Sequence, residues 1–190
     1  MINFIPGKIV KTFITKTGKT AIIRYPEWTD LDQMVLFINK LSLEDTFITF
    51  SGETITHDGE MYYLTEMMKS MELGNAVYLA CFVDEKLVGT ATVLRDLQSR
   101  KRSYHVGIFG ITIAKDFREI GIGETLSRSL IEETKKQIPN IKILTLNVFE
   151  PNTRARSLYK KLGFTQYALL PKGVYFKEDY VDEIKMFLPL

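Results

Sequence analysis

Apolar residues recur along the chain with two periods, one typical of amphipathic helices and one typical of strands. A spacing of three and four residues joins Leu31, Met34, Val35, Ile38 and Leu41, after a possible cap at Thr29 or Asp30. The same spacing predicts three more helices: one from Asp58 or Gly59 to a stop at Gly74, one over Gly123–Gln137, and one over Asn152–Leu162 that Gly163 stops.

Short runs rich in β-branched and aromatic residues, bounded by turn residues, predict the strands. They are Lys8–Thr15, Thr20–Arg24, Val77–Val83, Leu87–Leu94, Ser103–Ile113, Ile141–Phe149, Phe164–Leu170 and Tyr180–Leu188. The first two predict a hairpin, the next three an antiparallel meander, and the last two a closing pair. Residues 42–58 are predicted to form a long loop, and no repeat or linker divides the chain, so residues 1–190 are predicted to form a single domain.

Composition excludes several function classes. A net charge of +2 in 190 residues argues against a dedicated nucleic-acid binder. The single cysteine, Cys81, excludes an internal disulfide framework, fits a reducing cytoplasmic setting, and lies in an apolar run that predicts a buried structural role. No signal peptide is recognised, and no apolar run approaches the ~20 residues of a membrane span.

The most informative segment is the turn between an apolar strand and a helix at Gly121 and Gly123. A glycine turn at a helix start directs backbone N–H groups and the positive helix dipole at one point, which suits a phosphate. A dinucleotide fingerprint would need a third glycine where Leu126 stands, and a Walker loop would need Gly-Lys-Ser/Thr where Gly123-Glu-Thr occurs. Both nucleotide interpretations are therefore excluded.

A second group of residues follows the next strand and extends the pattern. The two motifs are Arg118-x-x-Gly121-x-Gly123 and Leu146-x-Val148-x-x-x-Asn152-x-x-Ala155-x-x-Leu158-Tyr159-x-x-x-Gly163-Phe164. In order and spacing they resemble the GNAT superfamily of acyl-CoA-dependent N-acetyltransferases, and the resemblance spans most of the chain. It implies an α/β (α+β) fold with a mixed, mostly antiparallel central sheet flanked by helices.

The resemblance implies acetyl-CoA as co-substrate and no metal. The pyrophosphate would bind the backbone N–H groups of the turn, while the pantetheine arm would follow a free strand edge that separates from its neighbour near Pro151. The implied cofactor-binding residues are Ile111, Thr112, Ile113, Arg118, Glu119, Ile120, Gly121, Ile122, Gly123, Glu124 and Asn152. Arg118 could add charge or brace the turn, and Asn152 could contact the cofactor or simply cap its helix.

Tyr159 stands where the family often places the acid that protonates the departing thiolate. A phenol with a pKa near ~10 can give a proton to a thiolate whose thiol has a pKa near ~8.5. The same residue lies on the apolar stripe of its helix with Ala155, Leu158 and Leu162, so a core tyrosine would give the same pattern.

The general base is not identified by the resemblance. Many relatives carry a glutamate in the strand before the glycine turn, about where Gly107 stands, and this strand has no carboxylate. His105 would share the face of Gly107 in a regular strand, and Glu150 lies beside the predicted strand separation. Glu44, Glu53 and His57 of the long loop, or a chain of waters, are further candidates.

The resemblance implies that the first two predicted helices and the loop between them line the acceptor site, and this region is acidic. Between Lys40 and Lys69 the chain has no Lys or Arg, while the acidic residues there are Glu44, Asp45, Glu53, Asp58, Glu60 and Glu66. Such a field favours a cationic amine, although a solvated acidic face gives the same pattern. The predicted activity is direct acetyl transfer to a primary amine, of a small molecule, polyamine or peptide, in a ternary complex. The alternatives are the same fold carrying another acyl group, a catalytically degenerate acyl-CoA sensor, and a structural or interaction protein without a ligand.

No nucleic-acid or membrane partner is predicted. The N-terminal hairpin and the last strand are predicted to be sheet edges, at which two copies of the chain could pair as a homodimer.

Overall fold

The computed structural model describes residues 4–44 and 46–190, which form eight strands and four α-helices. The strands are β1 (Ile9–Ile14), β2 (Thr20–Arg24), β3 (Ala76–Val83), β4 (Lys86–Arg95), β5 (Val106–Ile113), β6 (Ile143–Phe149), β7 (Thr165–Phe176) and β8 (Asp179–Pro189). The helices are α1 (Leu31–Leu43), α2 (His57–Glu72), α3 (Ile122–Gln137) and α4 (Thr153–Leu162).

The strands form one sheet in the order β1-β2-β3-β4-β5-β6-β8-β7. Every neighbouring pair is antiparallel except β5 and β6, which are parallel. The predicted hairpin, meander, closing pair and mixed sheet are confirmed. The prediction that the last strand is a sheet edge is wrong, because β8 pairs with β6 on one side and β7 on the other. The sheet edges are β1 and β7.

Helices cover both faces of the sheet at its centre, where all eight residues of β3 are buried. On one face α1 and α2 pack against β3 and β4, and on the other α3 packs against β3, β4 and β5. Gly89 of β4 allows this second contact, since a Cβ there would lie 2.6 Å from Ile113 Cδ1 and 3.6 Å from Leu126 Cδ2. No helix within the described residues combines the length and apolarity that a membrane crossing requires.

Two strand boundaries differ from the sequence prediction by three residues or more. β5 begins at Val106 rather than Ser103, because the Ser103 hydroxyl donates to Asp96 O at 2.8 Å and the Ser103 carbonyl accepts from Val106 N. These bonds make residues 103–105 a turn. β7 continues past Pro171 to Phe176, with an irregular register between Leu170 and Val174. An edge strand tolerates a proline because one row of its N–H groups needs no partner strand.

Cys81 is fully buried in β3, as predicted. Burial raises the pKa of its thiol to about 12, so the thiol remains protonated at neutral pH. A protonated, inaccessible thiol is a packing group rather than a nucleophile.

Candidate active site

Strands β5 and β6 pair over a short distance and then separate. Their parallel register covers only Val106–Ile143, Gly107–Leu144 and Ile108–Thr145. Beyond these pairs β5 continues to Ile113 and β6 to Phe149. The predicted strand separation is confirmed, and it leaves the β6-facing edge of β5 free from Phe109 onward.

A cleft of about 780 Å³ opens where the two strands separate. Its walls come from the end of β5, the turn before α3, the first turns of α4, residues 46–48 and the β1–β2 turn. The cleft contains nine of the predicted cofactor-binding residues, which are Ile111, Thr112, Ile113, Arg118, Glu119, Gly121, Gly123, Glu124 and Asn152. Ile120 and Ile122 do not line it, and the Ile122 side chain is fully buried in the core.

The N-terminus of α3 lines one end of this cleft. Gly121 is the N-cap residue and has a φ of 96°, in the left-handed region that glycine adopts without steric cost. Helix hydrogen bonding begins when Thr125 N donates to Gly121 O at 3.1 Å, so the preceding N–H groups have no partner within the helix. Free N–H groups and the helix dipole together favour a phosphate at this point.

Arg118 braces the turn and also lines the cleft. Its Nε donates to the carbonyl of Ile113 at 2.9 Å, and its NH2 group donates to Glu44 Oε2 at 2.6 Å. The pair therefore connects the end of β5 to the end of α1. Glu44 Oε1 is buried without a hydrogen-bond partner among the described residues. Of the two roles suggested by the sequence, these bonds show the bracing of the turn, and a contribution of charge to cofactor binding stays a prediction.

The acidic side chains of the turn are paired with cations. Glu124 lies 2.5 Å from Lys161 Nζ and 3.1 Å from Arg128 NH2, and these partners lower the pKa of its carboxyl group. Glu119 lies 2.8 Å from Arg154 NH2. Pairing offsets the repulsion that two carboxylates beside a phosphate site would otherwise cause.

Sequence reasoning missed two cations that line the cleft, Lys16 and Arg154. Lys16 belongs to the β1–β2 turn, and its backbone N–H donates to Ile120 O at 3.0 Å. No local signal identifies it, because the contact joins residues a hundred positions apart. Arg154 lies two residues after Asn152 at the start of α4, and this position in the sequence could have identified it as a cleft residue.

Tyr159 lies at the inner wall of the cleft, with 7 % of its surface exposed. Its ring packs edge-on against Phe109 at a centroid distance of 6.0 Å and at a tilted angle against Phe164 at 5.9 Å. Burial raises the pKa of the phenol to about 12, so the hydroxyl is protonated at neutral pH, as an acid catalyst must be. No residue within the described ranges hydrogen-bonds this hydroxyl, so it can donate to a group in the cleft.

Asn152 caps α4, because its Oδ1 accepts a hydrogen bond from Ala155 N at 3.1 Å. The residue also lines the cleft. The cap uses the side-chain oxygen and leaves the amide NH2 group available as a donor.

Neither His105 nor Glu150 lines the cleft, and neither lines a smaller cavity on the α1–α2 side of the sheet. His105 precedes β5 at the end opposite Ile111–Ile113, and its carbonyl accepts from Lys142 N and Ile143 N. Its predicted place within a regular strand is wrong, because the turn at Ser103 delays the strand. Glu150 forms an ion pair with Arg156 NH1 at 2.6 Å. Their role as base stays a prediction.

The remaining candidates for the general base, which the sequence placed in the long loop, each interact with another residue of the protein. His57 Nε2 lies 3.2 Å from Asp32 Oδ1, Glu44 pairs with Arg118, and the carboxylate of Glu53 accepts from Ser51 N.

A second cavity, of about 440 Å³, lies on the α1–α2 side of the sheet. Its walls are mainly aromatic and aliphatic, with threonines from β4 and β5 and one carboxylate, Glu60. Ile111 and Thr112 line both this cavity and the cleft. The two cavities therefore adjoin at the end of β5, which contributes to the lining of both.

Comparison with known proteins decides the family. A sequence model of the Acetyltransferase (GNAT) family matches residues 41–164, which include the cleft turn, Asn152 and Tyr159. The chain belongs to the GNAT acetyltransferase family. It is accordingly an N-acetyltransferase, and the relationship suggested by the Arg118–Gly123 and Asn152–Phe164 motifs is confirmed.

Two relatives of this GNAT chain are 28% and 32% identical to it over the aligned residues. An N-alpha-acetyltransferase of Sulfurisphaera tokodaii is 28% identical over 183 residues, covering 92% of this chain and 96% of the relative. An L-amino acid N-acetyltransferase of Escherichia coli is 32% identical over 108 residues, covering 57% of this chain and 64% of that protein.

Solved GNAT structures share the fold. A GNAT-family acetyltransferase from Streptococcus pneumoniae is 29% identical and superposes with a TM-score of 0.81, covering 90% of this chain and 99% of the other. An acetyltransferase from Salmonella typhimurium, solved with acetyl-CoA, superposes with a TM-score of 0.77 at 18% identity, covering 90% and 94% of the two chains.

Proposed function

We propose that this GNAT protein transfers an acetyl group from acetyl-CoA to a primary amine, directly and within a ternary complex. One observation supports direct transfer above all: the cleft and the second cavity meet at Ile111 and Thr112. A donor in the cleft and an acceptor in the second cavity would present their reacting atoms at the same segment of β5. Proximity of this kind removes the need for a covalent acetyl-enzyme.

The residues of the cleft fit acetyl-CoA. The N–H groups at Gly121 and Gly123 would hold the pyrophosphate, with Lys16 and Arg154 adding positive charge. A Cβ at Gly123 would lie in ordinary van der Waals contact with Leu158 Cδ2, at 3.5 Å. The free edge of β5 would hydrogen-bond the amides of the pantetheine arm, as a peptide strand would.

Bound acetyl-CoA supplies a thioester whose carbonyl carbon forms a bond to the amine nitrogen as its bond to sulphur breaks. Tyr159 would donate its hydroxyl proton to the departing sulphur and recover a proton from the nitrogen, which balances the transfer. The acceptor must enter this step as the free amine, so its ammonium first gives one proton to a base. His105, Glu150 and water remain the predicted candidates for that base.

The names of the relatives indicate two acceptor classes. One is an N-alpha-acetyltransferase and the other an L-amino acid N-acetyltransferase, so both act on α-amines. The acceptor of this chain would bind in the second cavity, whose lining includes the exposed residues Thr49 and Gly59.

The experiment has two parts. Thermal unfolding with acetyl-CoA, NAD or ATP measures cofactor choice, and stabilisation by acetyl-CoA alone is expected. Release of the CoA thiol with a panel of alkylamines, polyamines, amino acids and peptides then measures transfer. Stabilisation without thiol release for any amine would favour the acyl-CoA sensor, and absence of stabilisation would overturn the proposal.

A further inference from the structure

Glu60 is a buried carboxylate without a partner. It lies in the first turn of α2, has 7 % of its surface exposed, and lines the second cavity. Within residues 4–44 and 46–190, no group forms a hydrogen bond or ion pair with its side chain. A carboxylate buried in a largely apolar wall is unfavourable unless another group compensates for its charge. A feature this unfavourable indicates a ligand that compensates for it.

The cavity contains no other charge among the described residues. No Lys, Arg or His lines it. Its two tyrosines stay neutral, because desolvation and the nearby Glu60 raise the pKa of Tyr63 to about 12 and that of Tyr78 well above 10. The occupant therefore meets one negative charge, set among apolar groups such as Met34 and Phe37.

The other acidic residues of this region are engaged or lie elsewhere. Glu44 pairs with Arg118, Glu66 lies 3.9 Å from Lys69, and Asp58 is exposed. Asp45 lies outside the described residues. Of the six acidic residues from which the sequence predicts a negative field, Glu60 is the one that lines the cavity.

Building on the proposed acetyl transfer, we propose that Glu60 binds the ammonium group of the acceptor and that the cavity selects amines without a carboxylate next to the nitrogen. An ammonium group would pair with the Glu60 carboxylate and compensate for the hydration that the carboxylate loses on burial. A carboxylate on the neighbouring carbon would find no cation in the cavity and would be repelled by Glu60. Peptide N-termini and simple apolar amines satisfy this rule, whereas free amino acids do not.

The experiment uses acceptors that differ in one group. Leucine and 3-methylbutylamine share the same body and differ in the carboxylate, while leucinamide and a leucyl peptide amide replace that charge with an amide. We expect kcat/KM for 3-methylbutylamine and leucinamide to exceed that for leucine by about tenfold or more, a difference typical of one unpaired buried charge. Comparing kcat/KM for the two amides with kcat/KM for the alkylamine shows whether the acceptor is a peptide or a small-molecule amine.

The Glu60→Gln variant tests the residue itself, with Glu66→Gln, an exposed acid on the same helix, as the matched control. We expect the KM for the amine to rise about ten- to hundredfold in Glu60→Gln, as for loss of a charged hydrogen bond, while the KM for acetyl-CoA is unchanged. Glu60→Asp, which keeps the charge, should recover part of the affinity. Unchanged amine KM in Glu60→Gln, or leucine as good as 3-methylbutylamine, would overturn the proposal.

A binding measurement separates this proposal from the proposed function. Calorimetric titration of 3-methylbutylamine into the CoA-saturated protein needs no turnover. Binding that Glu60→Gln abolishes supports the Glu60 assignment even if no amine is acetylated, a result that would overturn the transfer proposal alone. No binding to the wild-type protein overturns the Glu60 assignment.

Discussion

Arg118 NH2 lies 2.6 Å from Glu44 Oε2, and this ion pair joins the turn beneath the cleft to the end of α1. Both side chains are mostly buried, with 21% of Arg118 and 12% of Glu44 exposed. Because Glu44 Oε1 has no hydrogen-bond partner among the described residues, the carboxylate depends on Arg118 for compensation. A residue that the family motif associates with the cofactor thus also stabilises the fold.

Replacement of Arg118 by alanine should therefore reduce both stability and acetyl-CoA affinity. We expect the free energy of unfolding to fall by about 2 kcal/mol, less than for a fully buried pair because part of this one is exposed. Urea unfolding measures this loss. The double variant Arg118→Ala/Glu44→Gln should regain about half of it, since no uncompensated carboxylate remains. A double variant as unstable as the single one would refute the dependence of Glu44 on Arg118.

Gly121→Glu should abolish acetyl-CoA binding while the fold is retained. A side chain at a φ of 96° costs about 1–2 kcal/mol, and here it also places a carboxylate at the anion site. Gly52→Glu is the matched control, because Gly52 has a φ of 101° and open space around it but lies outside the cleft. Both variants should lose similar stability in urea, and only Gly121→Glu should lose acetyl-CoA binding by calorimetry. Equal affinities would exclude the pyrophosphate assignment.

The helices and most strands could be predicted because their signals are local. Helix α4, for example, follows its apolar stripe and ends at Gly163, whose φ of 98° suits glycine. The start of β5 was missed because one side-chain bond, from Ser103 to Asp96 O, turns residues that would otherwise suit a strand. The edge position of β7 depends on how the closing hairpin docks beside β6, which no local pattern specifies.

The cleft was predicted better than the second cavity, for a physical reason. A cluster of N–H groups at a helix start is a property of a short segment, so Gly121 and Gly123 reveal it. The second cavity is assembled from α1, α2, the loop between them, β3, β4 and β5, and its distinguishing property is the burial of one side chain. Sequence shows six acidic residues between Lys40 and Lys69 but does not show that Glu60 alone lines the cavity without a partner.

Tyr159→Phe should lower kcat by about a hundredfold, which is typical for loss of a general acid, and leave acetyl-CoA affinity unchanged. The ring packing against Phe109 and Phe164 is preserved in phenylalanine, so stability should change little. Since the phenol has a pKa of about 12, the wild-type rate should show no decline from Tyr159 ionisation in the ordinary alkaline range. Tyr167→Phe, on exposed β7, is the control. An unchanged kcat would remove Tyr159 as the acid.

Variants of Asn152 distinguish its role as the cap of α4 from its predicted contact with the cofactor. Asn152→Ala should cost about 1 kcal/mol of stability through loss of the cap on α4. Asn152→Asp keeps the cap acceptor but loses the NH2 donors and adds charge, so it should retain stability and lose acetyl-CoA affinity if the amide contacts the cofactor. Thr56→Ala, which removes the equivalent cap of α2, is the control for stability alone. Full acetyl-CoA affinity in Asn152→Asp would leave capping as the only role.

Glu60 should make stability depend on pH in a direction opposite to that of an ordinary ion-paired carboxylate. Burial raises the pKa of its carboxyl group above the usual 4.5, so the folded chain holds this proton more tightly than the unfolded chain. Above about pH 4.5 the unfolded chain releases the proton first, and stability falls as pH rises toward the folded pKa. Tyr63 and Tyr78 remain protonated throughout this range because their own pKa values are raised.

Glu60→Gln cannot ionise and should escape this loss. We expect the variant to be more stable than the wild type near pH 7, with the gap shrinking toward pH 4, when both are unfolded by urea in the absence of an amine. Other carboxyl groups titrate in both proteins and cancel in the difference; these include Glu124, whose pKa is lowered by Lys161. An amine that binds at Glu60 should narrow the gap at neutral pH, because it stabilises only the wild type. A gap independent of pH, or a variant less stable at neutral pH, would show that the Glu60 carboxylate is not desolvated in the free protein.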